Sequence, residues 1–292
     1  MNKDETLIRF NEKVHNLIGN NYDEKHKNNI FNSIEQNRLR EHLKFAVKNI
    51  SSDKKRTFLK ALDFGSGTGN LTYHLIELGL HVAAADISKK LLEYIKLKYG
   101  QTKKCMTLKL ESEGLSKIGD NTYDIVACYS VLHHIPDYLK AVDDMIRICK
   151  PGGIIYIDHE VNNYYWNPNK EYFEFLKLNK KFTKQNVIKW KKYIKLSNYV
   201  KLFLFYLRKI NAFKTVSITN PLHPRYQPDG DIHVWNDDHI EWDKIEEIFN
   251  NNNCEIILVN DYLLYKNGYN LNIFNEFKNK CSDYRVLVAK KL

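Results

Sequence analysis

The spacing of apolar residues divides the chain into stretches of different period. From Glu24 to Ile50 they recur at helical intervals, at Ile30, Ile34, Leu39, Leu43, Val47 and Ile50. After the polar stretch Ser51 to Arg56, strands and helices alternate. Phe58 to Phe64 reads as a buried strand, Asn70 to Leu78 as a helix, and His81 to Asp86 as a second strand. A helix over Ser88 to Tyr99 opens at Ser88, whose hydroxyl suits an N-cap. Cys105 to Leu110 and Asp124 to Ser130 follow as strands, and Asp137 to Cys149 as a helix. The turn Lys150-Pro151-Gly152-Gly153 stops that helix and leads into a fifth strand, Ile154 to His159. Such alternation predicts a parallel sheet with helices on both faces.

The alternation then breaks. Residues 161–215 are aromatic, basic and mostly helical in period, and three of the six prolines (Pro221, Pro224, Pro228) mark a loop from Asn220 to Asp231. Near the C-terminus Asp243 and Glu246 have capping-box spacing before the apolar face Ile245, Ile248 and Phe249. Glu255 to Asp261 and Tyr284 to Ala289 read as the last strands. The predicted organisation is an N-terminal helical segment (1–57), an α/β core (58–160), an insert or lid with its loop (161–242), and a C-terminal completion of the sheet (243–292).

Bulk properties sharpen this picture only locally. The net charge of +10 suggests a polyanionic partner, but residues 161–215 hold 13 Lys/Arg against 2 Asp/Glu, so all the positive excess lies there. The five cysteines are odd in number and scattered without a CxxC pair. They read as reduced thiols of a cytoplasmic protein, with no disulfide framework and no metal site. The polar Met1-Asn2-Lys3-Asp4-Glu5 start lacks a signal-peptide pattern, and no run reaches the apolar length of a spanning helix.

The strongest chemical signal is Asp63-Phe64-Gly65-Ser66-Gly67-Thr68-Gly69, between a strand and a helix. Glycines there permit a tight turn and close approach of a ligand to backbone. A glycine loop alone also suits dinucleotides. Asp63 shifts the reading, because a carboxylate at that point repels a pyrophosphate and holds an ammonium. Asp86 ends the next strand 23 residues later, where a carboxylate can accept both hydroxyls of a ribose. S-adenosylmethionine (SAM) carries both groups and no phosphate.

On these residues the chain resembles the class I SAM-dependent methyltransferases, and within them the type-11-like enzymes that act on small molecules. Leu62 to Gly69 is similar to their first motif, Ala85-Asp86-Ile87-Ser88 to their second, and Tyr123-Asp124-Ile125-Val126 to the entry of their fourth strand. Leu132-His133-His134-Ile135-Pro136-Asp137 and the Lys150 to Gly153 turn follow in the family's order. The resemblance implies a seven-stranded Rossmann-like α/β sheet, mostly parallel with an antiparallel last strand; it does not cover residues 161–242, where the residues themselves read as a basic helical insert after strand five. It implies that Asp63, Gly65 and Gly67 hold the methionyl part of the cofactor, with Ser66 and Thr68 nearby. Asp86 takes the ribose hydroxyls, and Ile87 packs on the adenine. Glu111 and Ser112 fall where the family has an acidic residue facing the adenine amino group, and Tyr129 and Ser130 flank the sulfonium. Tyr22 and Arg38 are candidates to close over the cofactor from the N-terminal segment.

Methyl transfer from a sulfonium is an in-line displacement, and a base is required only where the acceptor loses a proton. Candidates at the C-terminal edge of the sheet are His134 with His133, the pair His159 and Glu160, and the later His223, His233 and His239. Each histidine can equally shape the wall through hydrogen bonds. The insert aromatics Tyr164, Tyr165, Trp166, Tyr172, Phe173 and Phe175 either line an acceptor cavity or form a small core of their own. Tyr199 to Leu207, with Lys201 and Arg208 at its ends, is basic and apolar enough for peripheral membrane contact.

The expectation is therefore a SAM-dependent enzyme that O-methylates a small molecule or a glycan or lipid precursor. Ribose methylation of RNA through the basic insert is the first alternative. The segment Ala127-Cys128-Tyr129-Ser130-Val131 lacks the motifs of base-methylating nucleic-acid enzymes, which disfavours a nucleic-acid partner. A non-catalytic SAM-binding protein is the second alternative.

Overall fold

A computed structural model describes residues 3–18, 30–51, 58–190 and 230–292. Nine strands and eight helices carry the fold there. In chain order they are α1 (Lys3–Ile18), α2 (Ser33–Lys48), β1 (Lys60–Phe64), α3 (Asn70–Glu77), β2 (His81–Asp86), α4 (Lys89–Tyr99), β3 (Cys105–Lys109) and β4 (Tyr123–Tyr129). Then come α5 (Tyr138–Ile148), β5 (Cys149–Val161), α6 (Lys170–Trp190), the short pair β6 (Val234–Trp235) and β7 (Asp238–His239), α7 (Trp242–Asn251), β8 (Cys254–Tyr262), α8 (Leu271–Phe277) and β9 (Tyr284–Lys291). Single turns at 100–102, 132–134 and 163–166 complete the set.

Seven strands make one sheet in the order β3-β2-β1-β4-β5-β9-β8. The first five are parallel, and β9 inserts antiparallel between β5 and β8. Because the chain reverses direction about β1, the C-terminal ends of β1 and β4 open a crevice at the switch point, where open α/β sheets bind ligands.

The central strands are buried on both faces. In β4, Val126 and Cys128 join the core beneath α5 and α7, while Ile125, Ala127 and Tyr129 join the opposite core against Leu39 and Leu43 of α2 and Leu71 and Leu75 of α3. That explains why β1 and β4 read as continuous apolar runs with no alternation. Helix starts follow side-chain chemistry: Asn32, Ser88 and Asp137 each accept a backbone N–H three residues on.

Three boundaries depart from expectation. Lys150 to Gly153 is no separate turn but an irregularity inside β5: Tyr123 pairs with Cys149 and Ile125 with Ile154, so two steps on β4 face five on β5. Gly152, at φ +75°, makes the bend where a Cβ would lie 2.8 Å from the carbonyl oxygen of Ser51. Asp243 and Glu246 form no capping box, since α7 begins at Trp242 and Glu246 pairs with Arg285 instead. The helical spacing from Glu24 to Ile50 is realised as α2, which starts only at Ser33, and α1 lies ahead of that spacing with no counterpart in it.

The insert aromatics Tyr172 and Phe175 pack with Leu263, Phe274, Phe277 and Cys281 into a third small core against α8, while Tyr164 and Phe173 are exposed. The Tyr199 to Leu207 segment, His223 and the proline loop lie outside the described residues. Among the described residues no helix is long and apolar enough to cross a membrane. All five cysteines are unpaired, and all but Cys105 are buried.

Candidate active site

The crevice holds a cavity of about 480 Å³. Its floor is the turn after β1. Gly65, Gly67 and Gly69 stand at φ +70°, +52° and +87°, a region closed to most side chains. Their reasons differ. A Cβ at Gly65 would lie 2.6 Å from the Val131 side chain, and one at Gly69 would lie 2.8 Å from Tyr99, so both are packed by the protein itself. A Cβ at Gly67 would meet nothing within 4 Å and would project into free space.

Carboxylates frame this turn. Asp63 is buried and accepts the Thr72 hydroxyl. Burial pushes its pKa up to about 7 against the pull of Thr72, and the charge of Asp86 adds to the rise. Asp86 accepts N–H bonds from Gly67 and Ser88 at 2.8 and 2.7 Å, locking the turn to the end of β2. Burial raises its pKa as well, while His15 and these N–H groups pull it back.

Of the proposed cofactor residues, Asp63, Gly65, Ser66, Gly67, Thr68, Asp86, Ile87, Glu111, Ser112, Tyr129 and Ser130 all border the cavity. Two buried polar atoms of its wall, Ser66 Oγ and Asn70 Nδ2, have no hydrogen-bond partner among the described residues. A cavity lined by buried carboxylates, unused polar atoms and a glycine cradle fits a polar, cationic ligand.

Tyr22 lies outside the described residues. Arg38 does not reach the cavity. Its guanidinium pairs with Glu35 and with Asp158 at 3.0 Å and lies 3.7 Å over the Tyr262 ring. The hydroxyls of Tyr156 and Tyr262 also donate to Asp158, and that of Tyr129 to Glu35 at 2.8 Å. Three interior carboxylate and guanidinium groups thus satisfy one another beneath the cavity and set the ring of Tyr129.

The roof comes from α1, whose Ile8, Asn11 and His15 face the cavity with Ile30 and Phe31. Asn11 donates to the carbonyl of His134 at 2.6 Å, Asn16 accepts from the Ser88 hydroxyl at 2.7 Å, and Glu12 pairs with Lys109. The helix therefore bridges the ends of β2 and β3 to the loop after β4. Sequence reasoning missed these residues, although Leu7, Phe10 and Val14 carry a helical period that would have disclosed α1.

The candidate acid–base groups separate. His134 borders the cavity. Glu160 faces away from it: Oε1 accepts the N–H groups of Val131 and Leu132 at 2.9 and 2.8 Å, and Oε2 accepts from His133 Nδ1 at 2.7 Å. Burial opposes a charge on His133, yet Glu160 and then Asp231 push its pKa up to about 9. His159, at φ +63°, lies between the rings of Tyr129 and Tyr284 at 4.6 and 4.5 Å. Neither of its ring nitrogens has a hydrogen-bond partner among the described residues, and burial with the nearby Arg38 charge holds its pKa well below the usual imidazole range. His233 clamps the loop through Asp238 and the carbonyl of Ile135, and His239 lies against Trp166.

Residues 62–157, about a third of the chain, match the methyltransferase-domain family. The ubiquinone biosynthesis O-methyltransferase of Vibrio cholerae is 31% identical over 98 residues, which cover 33% of this chain and 40% of that protein. The enzyme of the same name from Nitrosospira multiformis is 27% identical over 151 residues, or 51% of this chain and 58% of that one. The chain thus spans about 40% of the length of the first of these curated relatives. In three dimensions it is similar to the solved complex of the Haloferax volcanii Trm112 methyltransferase activator with its methyltransferase partner, at TM-score 0.50 and 12% identity, covering 94% of this chain and 96% of that one. The matched region runs from β1 to β5, through the glycine turn and both framing carboxylates, and over that third of the chain the sequence is similar to methyltransferase domains.

Proposed function

We propose that the protein transfers the methyl group of SAM to an oxygen of a small-molecule acceptor. The observation that carries this reading is the cavity at the switch point. It joins a glycine turn with room above Gly67 to two buried carboxylates, Asp63 and Asp86. The curated relatives are named for O-methylation of small-molecule precursors, which supports oxygen as the accepting atom and disfavours RNA.

When bound, SAM supplies an electrophilic methyl on a sulfonium, activated without help from the protein. The protein binds, aligns and dries. Asp63 holds the ammonium of the methionyl part, and Asp86 takes the ribose hydroxyls. Glu111 and Ser112 border the adenine, and Tyr129 and Ser130 border the sulfonium. The roof excludes water through Ile8 of α1 and Phe31 just ahead of α2, which favours alignment over hydrolysis. His134 is the acid–base candidate that meets the acceptor. Glu160 and His159 are positioning residues: the first fixes the loop that carries His134, and the second seats the Tyr129 ring.

Calorimetric titration with SAM and, separately, with NADH tests the cofactor assignment. Micromolar SAM binding with no NADH response is expected, and the absence of SAM binding overturns it. Incubation with labelled SAM and a panel of phenols, catechols and carboxylic acids then tests transfer. Label remaining on SAM with every member of the panel would count against an oxygen acceptor of these classes.

A further inference from the structure

We propose that His133, His134 and Asp231 form a binding site for one divalent transition-metal ion at the rim of the cavity. Their ligand atoms all lie within 4.8 Å of one another. Asp231 Oδ1 is 3.4 Å from His134 Nδ1 and 3.8 Å from His133 Nε2. Both separations exceed the ordinary hydrogen-bond length of roughly 2.7–3.2 Å. The shorter equals the edge of a coordination tetrahedron, since ligands about 2.1 Å from a tetrahedral ion stand roughly 3.4 Å apart, and the longer needs a small side-chain rotation to reach it. Two imidazoles and a carboxylate are the donor set of zinc, cobalt and iron sites, and hard cations such as magnesium favour oxygen alone.

The surroundings are those of a built site. Glu160 accepts from His133 Nδ1, which fixes the tautomer and turns Nε2 toward Asp231. A carboxylate behind a ligating histidine is the usual outer partner of a metal site. Asp231 is pinned from both sides. The N–H groups of Ile232 and His233 donate to the carbonyl of His133 at 2.9 and 3.0 Å. Gly230 stands at φ +80°, a conformation that favours glycine, and a Cβ there would also displace the Asn11 side chain. The turn Leu132–His134 places two consecutive imidazoles on one side, with ring centroids 4.2 Å apart.

The three side chains are 17%, 18% and 28% exposed, which leaves open positions on an ion they hold, and His134 brings it to the cavity edge. With an ion bound, His134 is its ligand in place of a base, and an acceptor hydroxyl taking an open position becomes more acidic and releases its proton to water. That use rests on the methyl-transfer reading, whereas the site itself does not. The sequence offers no metal-ligand spacing, because Asp231 follows His134 by 97 residues.

The test is titration of the chelator-stripped full chain with Co²⁺, followed by visible absorption, and with Zn²⁺ by calorimetry, both without cofactor. The expected result is one ion per chain. Asp231→Asn and His134→Gln should each weaken binding by at least about tenfold, and Glu160→Gln by roughly 10–100-fold. SAM affinity and the thermal transition of Asp231→Asn should match those of the parent, which separates loss of a ligand from loss of the fold. No stoichiometric binding, or binding that Asp231→Asn and His134→Gln both leave unchanged, overturns the site and leaves His133 as an imidazolium held between two carboxylates. Metal binding without SAM binding would instead retain the site and remove the proposed function.

Discussion

The two ends of the cavity are built by opposite means. At one end, seven consecutive residues, Asp63 to Gly69, fold over the end of β1 and are held at the end of β2, where Ala85 accepts from Gly65 and Ser66 and Asp86 accepts from Gly67. At the other, the loop after β4 takes its shape from Glu160 on β5, from Ile232 and His233 near the β6–β7 pair, and from Asn11 on α1. The first end is a motif, rigid because glycine conformations and local hydrogen bonds dictate it. The second is an assembly, rigid only while buried charge and distant backbone meet. A change at the loop after β4 therefore need not disturb the glycine turn.

This contrast can be broken first where each end is strongest. Glu160→Leu leaves the N–H groups of Val131 and Leu132 and the His133 imidazole without their acceptor, and should destabilise by about 3–5 kcal/mol. Gly65→Val drives a side chain into Val131 at a left-handed residue and should cost roughly as much. Thermal melting checks both, and a transition near the parent's would show that neither end is built as described. Gly67→Val should separate fold from binding. It carries about 1–2 kcal/mol of backbone strain but fills the ligand's space, so the melt should move little while SAM affinity falls by at least about a hundredfold. Retained SAM affinity in that variant would remove the cofactor assignment.

A pH titration of SAM affinity sharpens the cofactor end further. Asp63 has its pKa raised to about 7, so below that pH a proton must leave before an ammonium can be paired. Affinity should be full above pH 7 and decline by up to about tenfold per unit beneath it. Asp63→Asn should be weak and nearly flat with pH. The smallest effect expected is at the roof. His15→Ala removes one ring from the cavity edge and should reduce SAM affinity only a few-fold by calorimetry, with a slight change in melting.

The cofactor end was legible because its chemistry is local. Strand, glycine turn, N-cap and following helix lie within consecutive residues, and period and turn chemistry fix them without knowledge of the rest. Lys150 to Gly153 was misread because a bend inside a strand and a turn before one share the same residues, and only the pairing with β4 distinguishes them. Arg38 was misread for a related reason. A cation on a helix near a binding segment looks the same whether it faces a ligand or, as here, Asp158 across the core.

Sequence by itself determined the α/β class, the parallel core and a glycine turn with carboxylates at both strand ends, since each follows from contacts within a few residues or from strict periodicity. Tertiary structure alone decided that Glu160 braces a loop, that His134 and not His159 reaches the cavity, and that Asp231 stands beside two histidines. Those outcomes depend on which buried charges and backbone groups find one another across 27 to 123 residues of chain. Burial makes such pairings compulsory without writing their partners into the local sequence.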